Sequence, residues 1–301
     1  MPAKSLAVKV ERFLYLCRRR FRSEAAAEFP NFLSIVCISK NEGLYFREFI
    51  EFHRMVGVDK FYVYDNESDD GTREILEPYV KAGIVEYICW PGKAQQRIVY
   101  NHALLKYRFD TKWMAVVDLD EFIVPVADKT VADYLRRTPP YVTQVVIGWV
   151  NYGSGGHEAA PRGLVIENFK MRIADPCDKN AFQPRHVKGI INPRHVVKVR
   201  CHRHKHLGLD DVSSDPERNN FGTWPLRVNH YQSKSWEEFA KKKARGSASP
   251  VAHADNHFRV DKNQVLVRLY SREWFDRLDT NDVKDSIMDK HIAKLKNICP
   301  V

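Results

Sequence analysis

Three acids, Asp118, Asp120 and Glu121, follow directly on an apolar stretch in Lys112-Trp113-Met114-Ala115-Val116-Val117-Asp118-Leu119-Asp120-Glu121-Phe122-Ile123-Val124. Asp118 and Asp120 are two residues apart, so an extended backbone turns both carboxylates to one side. Two hard oxygen donors on one side suit Mg²⁺ or Mn²⁺ carrying a diphosphate, because such ions keep water or phosphate ligands. An Asp-x-Asp pair on a solvated loop arises by chance as well, so the flanking sequence has to decide. Met114 to Val117, bounded by charge and turn signals, is the pattern of a strand buried on both faces. Carboxylates at the carboxyl end of such a strand face the crevice where open α/β sheets bind ligands. The apolar return from Phe122 to Val126 strengthens the functional reading.

The elements that position these acids follow from the periodicity. Phe32 to Ile38 reads as a first buried strand, followed by Ser39-Lys40-Asn41-Glu42 and an amphipathic helix from Gly43 to Val56. Lys60 to Tyr64 is a second strand that runs into the polar turn Asp65-Asn66-Glu67-Ser68-Asp69-Asp70-Gly71-Thr72 and a helix to Lys81. Ile84 to Cys89 makes a third strand, Gln95 to Tyr107 a third helix, and Trp113 to Val117 the fourth strand. Strict alternation argues for parallel strands with helical crossovers. Beyond the acids the pattern loosens. A short helix is expected over Val131 to Arg137, a strand over Gln144 to Val150, and alternating stretches at Leu164 to Ile173 and His195 to Val199. Arg227 to Tyr231 follows, then a basic helix from Ser235 to Arg245. The expected division is a basic N-terminal segment over 1–30, an α/β domain over 31–250 and a helical C-terminal extension over 251–301.

At 301 residues, with 44% hydrophobic and 29% charged residues, the chain is long enough for a large core. No apolar run approaches the roughly 18 residues of a membrane span, and the start has no apolar signal centre. Forty-eight basic residues against 38 acidic give a net charge of +10. The excess clusters at Arg18-Arg19-Arg20 with Arg22, at Arg194 to His206, and at Lys241-Lys242-Lys243 with Arg245, which suits anionic partners. No nucleic-acid motif is present. Six scattered cysteines (Cys17, Cys37, Cys89, Cys177, Cys201, Cys299), with Cys37 and Cys89 inside apolar runs, read as reduced, buried thiols of a cytosolic protein. Cys201-His202-Arg203-His204-Lys205-His206 admits a zinc reading, but the interleaved Arg203 and Lys205 favour an ordinary basic strand.

The loop after the first strand, the turn after the second, Gln96 with Tyr100-Asn101 in the third helix, and Asp118-Leu119-Asp120-Glu121-Phe122 stand in a fixed order. Together they resemble the nucleotide-sugar glycosyltransferases of the GT-A fold, and more narrowly the family-2-like group related to glycosyltransferase family 92. The resemblance covers about residues 33 to 250. It implies an α/β, Rossmann-like, mostly parallel sheet flanked by helices, with a smaller mixed half on the acceptor side. It implies that Asn41 and Glu42 help hold the nucleotide and that Asp65 and Asn66 meet uracil or ribose. Gln96 faces the same pocket, and Asp70 is either a ligand or a helix cap. Asp118 and Asp120 become the acids for Mn²⁺ or Mg²⁺, with Glu121 orienting the loop or approaching the donor sugar.

In the second half, Trp149-Val150-Asn151-Tyr152-Gly153-Ser154-Gly155-Gly156-His157 resembles the group's acceptor-side loop, where glycine lets backbone approach a sugar closely. His230-Tyr231, Lys234-Ser235 and Phe239 with Lys243, Arg245 and Gly246 resemble its closing motif. His230 is then a third metal ligand, and Lys243 or Arg245 neutralises the departing diphosphate. The implied reaction is sugar transfer with inversion from a nucleotide-sugar, UDP-sugar first, to a glycan or glycolipid hydroxyl in surface polysaccharide synthesis. His157 and Glu158 are the candidates for the base that takes the hydroxyl proton, with Asp210 and Asp211 more remote. The basic, partly amphipathic start suggests a cytoplasmic protein lying peripherally on an anionic inner membrane. Two other readings stay open: a nucleotidyltransferase, which would want a glycine- and lysine-rich loop after the first strand, and a non-catalytic module binding sugar or nucleic acid.

Overall fold

The computed structural model describes residues 29–175, 186–200, 204–212, 221–245, 258–260, 266–268 and 271–299. The basic segment, apart from Phe29 and Pro30, lies outside the described residues, as do Cys17, Cys177, Cys201, His202 and Gly246. The first half alternates as expected: β1 (Asn31–Ser39), α1 (Gly43–Met55), β2 (Lys60–Asp65), α2 (Thr72–Lys81), β3 (Val85–Cys89), α3 (Gln96–Tyr107) and β4 (Thr111–Val116). β1 pairs in parallel with β2 and with β4, and β2 with β3, so these strands lie in the order β3-β2-β1-β4. From Leu33 to Ser39, β1 is buried at every position, as a strand covered on both faces must be. Its side chains alternate between layers. Leu33, Ile35 and Cys37 join Phe46, Phe49 and Phe52 of α1 on one face, while Val36 and Ile38 join Val99, Tyr100 and Leu104 of α3 on the other.

The second half is mixed. It comprises β5 (Glu121–Pro125), α4 (Val131–Arg137), β6 (Val142–Asn151), α5 (Val165–Asn168), β7 (Met171–Arg172), β8 (Val187–Ile191), β9 (Val196–Lys198), β10 (Lys205–His206), β11 (Leu209–Val212) and β12 (Leu226–His230). β8 runs antiparallel to both β4 and β6 and so joins the two halves into one sheet. β6 pairs in parallel with β11 and β12, and β12 is antiparallel to β5. The result is the expected α/β architecture, a largely parallel sheet with helices on both faces and a mixed second half.

Then come α6 (Trp236–Ala244), the hairpin β13 (Phe258–Val260) and β14 (Leu266–Arg268), α7 (Arg272–Leu278), β15 (Val283–Lys284) and α8 (Asp289–Ile298). β15 pairs with β7, and Met288, Leu295 and Cys299 are buried in the same core as α1. Two local expectations are corrected. Leu164 to Ile173 is not a continuous extended stretch: four residues of it coil into α5 before β7. Cys89, expected to be buried, is exposed at the outer strand β3, while Cys37 and Cys299 are buried free thiols.

α5 is only one turn long and is held by a side chain from elsewhere. Buried Glu48 of α1 accepts the backbone N–H groups of Val165 (2.7 Å) and Ile166 (3.0 Å), capping donors the short helix leaves unpaired. Burial outweighs these bonds and pushes the Glu48 carboxyl up to about 7. A carboxyl raised in the fold binds more protons there than in the unfolded chain. Its contribution is complete below pH 4.5 and is lost as the pH rises through 7. Urea titrations should therefore show the stability margin of the parent over Glu48→Gln shrinking across that window. A margin constant with pH would show that Glu48 does not titrate there.

Candidate active site

The acids stand where β4 leaves the sheet. Glu121 Oε2 accepts the Asp118 N–H (2.9 Å), and the Asp118 carbonyl accepts the Glu121 N–H (3.0 Å), so residues 118–121 fold into a tight turn that leads straight into β5. On one side, Asp118 Oδ1 accepts from Tyr100 Oη (2.9 Å) and Gln96 Nε2 (3.0 Å), both on α3. On the other, Lys188 Nζ donates to Asp118 Oδ2 and to Glu121 Oε2, each at 2.9 Å. Lys188 sits on β8 with its side chain buried and its ammonium 5.7 Å from the Trp149 ring centre. Burial opposes its charge, but Asp118 and Glu121 keep it well above the ordinary lysine range.

The two carboxyls sharing that lysine respond oppositely. For Asp118, burial is outweighed by Lys188 and Tyr100, which hold it below the usual range. For Glu121, whose Oε1 has no hydrogen-bond partner, burial wins and pushes the group up to about 8.

Asp120, also buried, faces a different set. The β12 register places His230 opposite Glu121 on one side and Asn151 of β6 on the other. His230 Nδ1 donates to Asn151 Oδ1 (3.1 Å), and burial holds the imidazole down to about 3, hence neutral. Its Nε2 lone pair is therefore turned to Asp120 Oδ2, 3.7 Å away. Two acceptors facing each other favour a cation close by, and Lys242 of α6 donates to the same Oδ2. Burial works against the charge on Asp120, but Lys242, with Lys234 behind it, holds its carboxyl well below the ordinary range.

A carboxylate and a neutral imidazole fixed by a second hydrogen bond are a donor pair that suits Mn²⁺ or Mg²⁺. Among the described residues, no group of three or more His, Cys, Asp or Glu side chains is gathered tightly enough to hold a metal alone. Asp120 and His230 are the residues that fit, leaving other positions to ligands from outside the chain. Both oxygens of Asp118, the third expected ligand, are engaged by α3 and Lys188.

The remaining expected residues line the carboxyl ends of β1 and β2. Asn41, at φ +50°, accepts the Asp69 N–H through Oδ1 (2.9 Å) and donates its own N–H to Ser68 Oγ (2.9 Å), tying the two strand-end loops together. Glu42 pairs with Arg245 (2.7 Å), which also reaches the Asn41 carbonyl (2.9 Å). Asp65 accepts from Tyr87 Oη (2.6 Å), and Asn66 donates to the Trp90 and Gly92 carbonyls. Asp70 stands one residue before the N-cap position, Gly71, and still accepts the N–H of Thr72, the first residue of α2 (3.1 Å). It accepts the Gly43 N–H at the start of α1 (2.8 Å) and the Thr72 hydroxyl (2.5 Å), so that although burial opposes it, these bonds keep it ionised. Lys243 lies over the Phe239 ring at 5.0 Å.

The two candidate bases sit elsewhere. The His157 and Glu158 carbonyls accept the N–H groups of Trp236 and Glu237, at the start of α6. Lys242 is six residues on, about 9 Å of helix rise. Glu158 is exposed and bonded through both oxygens to Arg272 (2.6 and 2.7 Å), and the His157 ring packs against Phe169. The glycine-rich loop is not open to a sugar at Gly153, where a Cβ would meet Asn281 Oδ1 and the Thr280 carbonyl. Of the zinc candidates, His206 pairs with Asp210 (2.7 Å) and Thr143 (2.8 Å), and Tyr134 Oη donates to Asp211.

Sequence reasoning missed Lys188, Lys242 as the partner of Asp120, and Asn151 as the orienter of His230. A lysine inside the apolar run Val187 to Ile191 was a legible signal for the first. For Lys242 the signal was its place three residues after buried Phe239, on the same helix face.

Replacing Lys188 by methionine would leave two buried carboxylates without their cation. We expect urea unfolding to show a loss of about 3 kcal/mol or more, smaller at pH 5 than at pH 9 because Glu121 then takes a proton. An unchanged midpoint would show that the ion pair contributes nothing to the fold.

A glycosyltransferase family 92 protein of Oryza sativa subsp. japonica is 27% identical over 73% of the chain and 36% of its own length. One of Ricinus communis is 23% identical over 91% and 50%. The chain thus spans between about a third and half of the length of these relatives. Among solved structures, S. aureus TarS residues 1–349 aligns with a TM-score of 0.36 and 15% identity over 54% of the chain and 47% of that structure. Glucosyl-3-phosphoglycerate synthase from Mycobacterium tuberculosis, solved with Mn²⁺ and UDP, aligns with a TM-score of 0.26 and 18% identity over 40% and 44%. The family model of glycosyltransferase family 92 matches residues 34–296, from the first strand of the sheet to the last helix, and the chain belongs to that family.

Proposed function

We propose that this protein is a metal-dependent, inverting glycosyltransferase that moves a sugar from a nucleotide diphosphate sugar to an acceptor hydroxyl. The observation that carries the reading is the pair of facing acceptors, Asp120 and neutral His230, set among cationic side chains at the carboxyl ends of the strands. A divalent cation bound there supplies positive charge against the leaving diphosphate. Lys242 adds movable and Arg245 fixed positive charge, the latter held by Glu42 and the Asn41 carbonyl. Tyr100, Gln96 and Lys188 hold Asp118 in one orientation, so the crevice wall is set before ligand arrives. The acceptor oxygen forms a bond to the anomeric carbon, the bond from that carbon to the diphosphate oxygen breaks with its electron pair, and the hydroxyl proton passes to a base. His157 is the base candidate we retain, because both Glu158 oxygens are committed to Arg272.

UDP-sugar is the donor to test first, with uracil or ribose at Asp65 and Asn66, and a glycan or glycolipid is the acceptor class. Calorimetry with UDP should show Mn²⁺-dependent binding, with GDP and CDP weaker, and a loss of at least tenfold in Asp120→Ala. Tight binding of another nucleotide would change the donor and keep the site. No nucleotide binding under any condition would overturn the reading in favour of a binding module.

The net charge of +10 and the arginines at 18–20 and 22 support work at an anionic inner-membrane surface in surface polysaccharide synthesis. Removing residues 1–30 should then lower binding to phosphatidylglycerol vesicles several-fold, and equal binding by the shortened chain would dismiss the membrane role.

A further inference from the structure

Lys242 stands on the one oxygen the proposed metal site cannot spare. Its ammonium bonds Asp120 Oδ2, the atom that faces His230 Nε2 at 3.7 Å. An ammonium and a divalent ion repel each other too strongly to share that oxygen. We infer, building on the proposed function, that Lys242 competes with the cation for Asp120 and passes to the donor diphosphate when the cation enters, so that cation and nucleotide bind as a pair.

The helix that carries Lys242 does not depend on this contact. Ser235 caps α6 in a reciprocal capping box with Glu238. Tyr45 Oη donates to Glu238 (2.6 Å), Arg245 pairs with Glu42 (2.7 Å), and Phe239 is buried against Trp236 and Phe275. The ammonium can therefore leave Asp120 while the helix stays, because the lysine stem has four rotatable carbons and a compact head with three donors. A partly exposed side chain gives it room to swing.

The charge pattern explains why it would leave only for a paired ligand. Each nearby acid already has a resident cation: Glu42 has Arg245, Asp118 and Glu121 share Lys188, and Asp120 has Lys242. Lys234, buried with its ammonium 3.7 Å from the Tyr45 ring centre, adds another positive group close by. A divalent ion arriving alone brings charge into a pocket already balanced and displaces a lysine with no acid to go to. A nucleoside diphosphate arriving with it restores the balance and offers Lys242 new oxygen acceptors. Cation and nucleotide are thus coupled, each raising the affinity of the other by the same factor.

The test follows free Mn²⁺ by electron paramagnetic resonance, with and without UDP, on the full chain. Parent, Lys242→Met, Lys242→Gln and Lys242→Arg would be compared, with Lys241→Met as control because exposed Lys241 pairs with Glu237. Thermal melts would confirm that all are folded. The parent should take up Mn²⁺ weakly alone and at least tenfold more tightly with UDP. Lys242→Met and Lys242→Gln should bind Mn²⁺ alone at least tenfold more tightly than the parent and gain less from UDP. Lys242→Arg and the control should behave as the parent. If the parent gains Mn²⁺ affinity with UDP while the Met and Gln variants bind Mn²⁺ alone no better than it does, the lysine exchange is wrong and the metal site stands. If no variant binds Mn²⁺ under any condition, the metal site itself falls and the exchange with it.

Discussion

A single buried ammonium makes the acidic turn possible. Asp118, Asp120 and Glu121 are packed within four residues at the end of a covered strand, where carboxylates left together would repel one another and lose their hydration. Lys188 binds two of them, and its own charge survives burial because of them. The strand that delivers this lysine is also the antiparallel joint between the parallel half of the sheet and the mixed half. Charge compensation and sheet continuity therefore rest on the same five residues. A change at Lys188 would act on both the packing between β4 and β6 and the orientation of Asp118.

From that anchor the rest of the site is a matter of register. The two-residue alternation of strands sets His230 between Glu121 and Asn151, and Asn151 fixes which imidazole nitrogen looks at Asp120. A shift of β12 by one residue would turn His230 to the opposite face and put Asn229 or Tyr231 in its place. Asp120 differs from Asp118 in one respect that matters for chemistry. Asp118 is bound by Tyr100 and Gln96 of a helix and by buried Lys188 of a strand, whereas Asp120 is bound by the tip of partly exposed Lys242.

The parallel half was legible because local signals there agree with tertiary ones. Apolar runs such as Ile35 to Ile38 and Met114 to Val117 suit a doubly covered strand, and each is followed by polar residues and then helical spacing. The acids at Asp118 and Asp120, Gln96 beside them and His230 were readable for the same reason, since each falls at the end or start of a clear element. The second half resisted because its order is set by distant partners. The single turn of α5 depends on Glu48, more than a hundred residues earlier, and no pattern within Leu164 to Ile173 announces it. Cys89 looked buried by its neighbours, but β3 is an outer strand, and strand order cannot be read from one segment. His157 and Glu158 were chosen by their position after β6, and the glycine-rich loop brings their backbone against the first turn of α6.

The clamp on that loop has a bearing on how the chain acquires its fold. Ser154 is bonded to Asp279 through both its N–H and its hydroxyl (2.6 Å for the latter), and the Gly155 N–H to Asn281 (2.7 Å), groups separated by 125 and 126 residues in sequence. Contacts of such long sequence separation are entropically costly to close and come late when a chain folds. The parallel half, β1 to β4, is built from neighbours joined by short crossovers and can condense first, while Lys188 reaches its acids only when β8 pairs with β4. The glycine-rich loop takes its shape only after residues 279–281 have arrived. In a growing chain emerging from the ribosome, the carboxyl ends of β1, β2 and β4 would be assembled while the wall opposite them is still unmade.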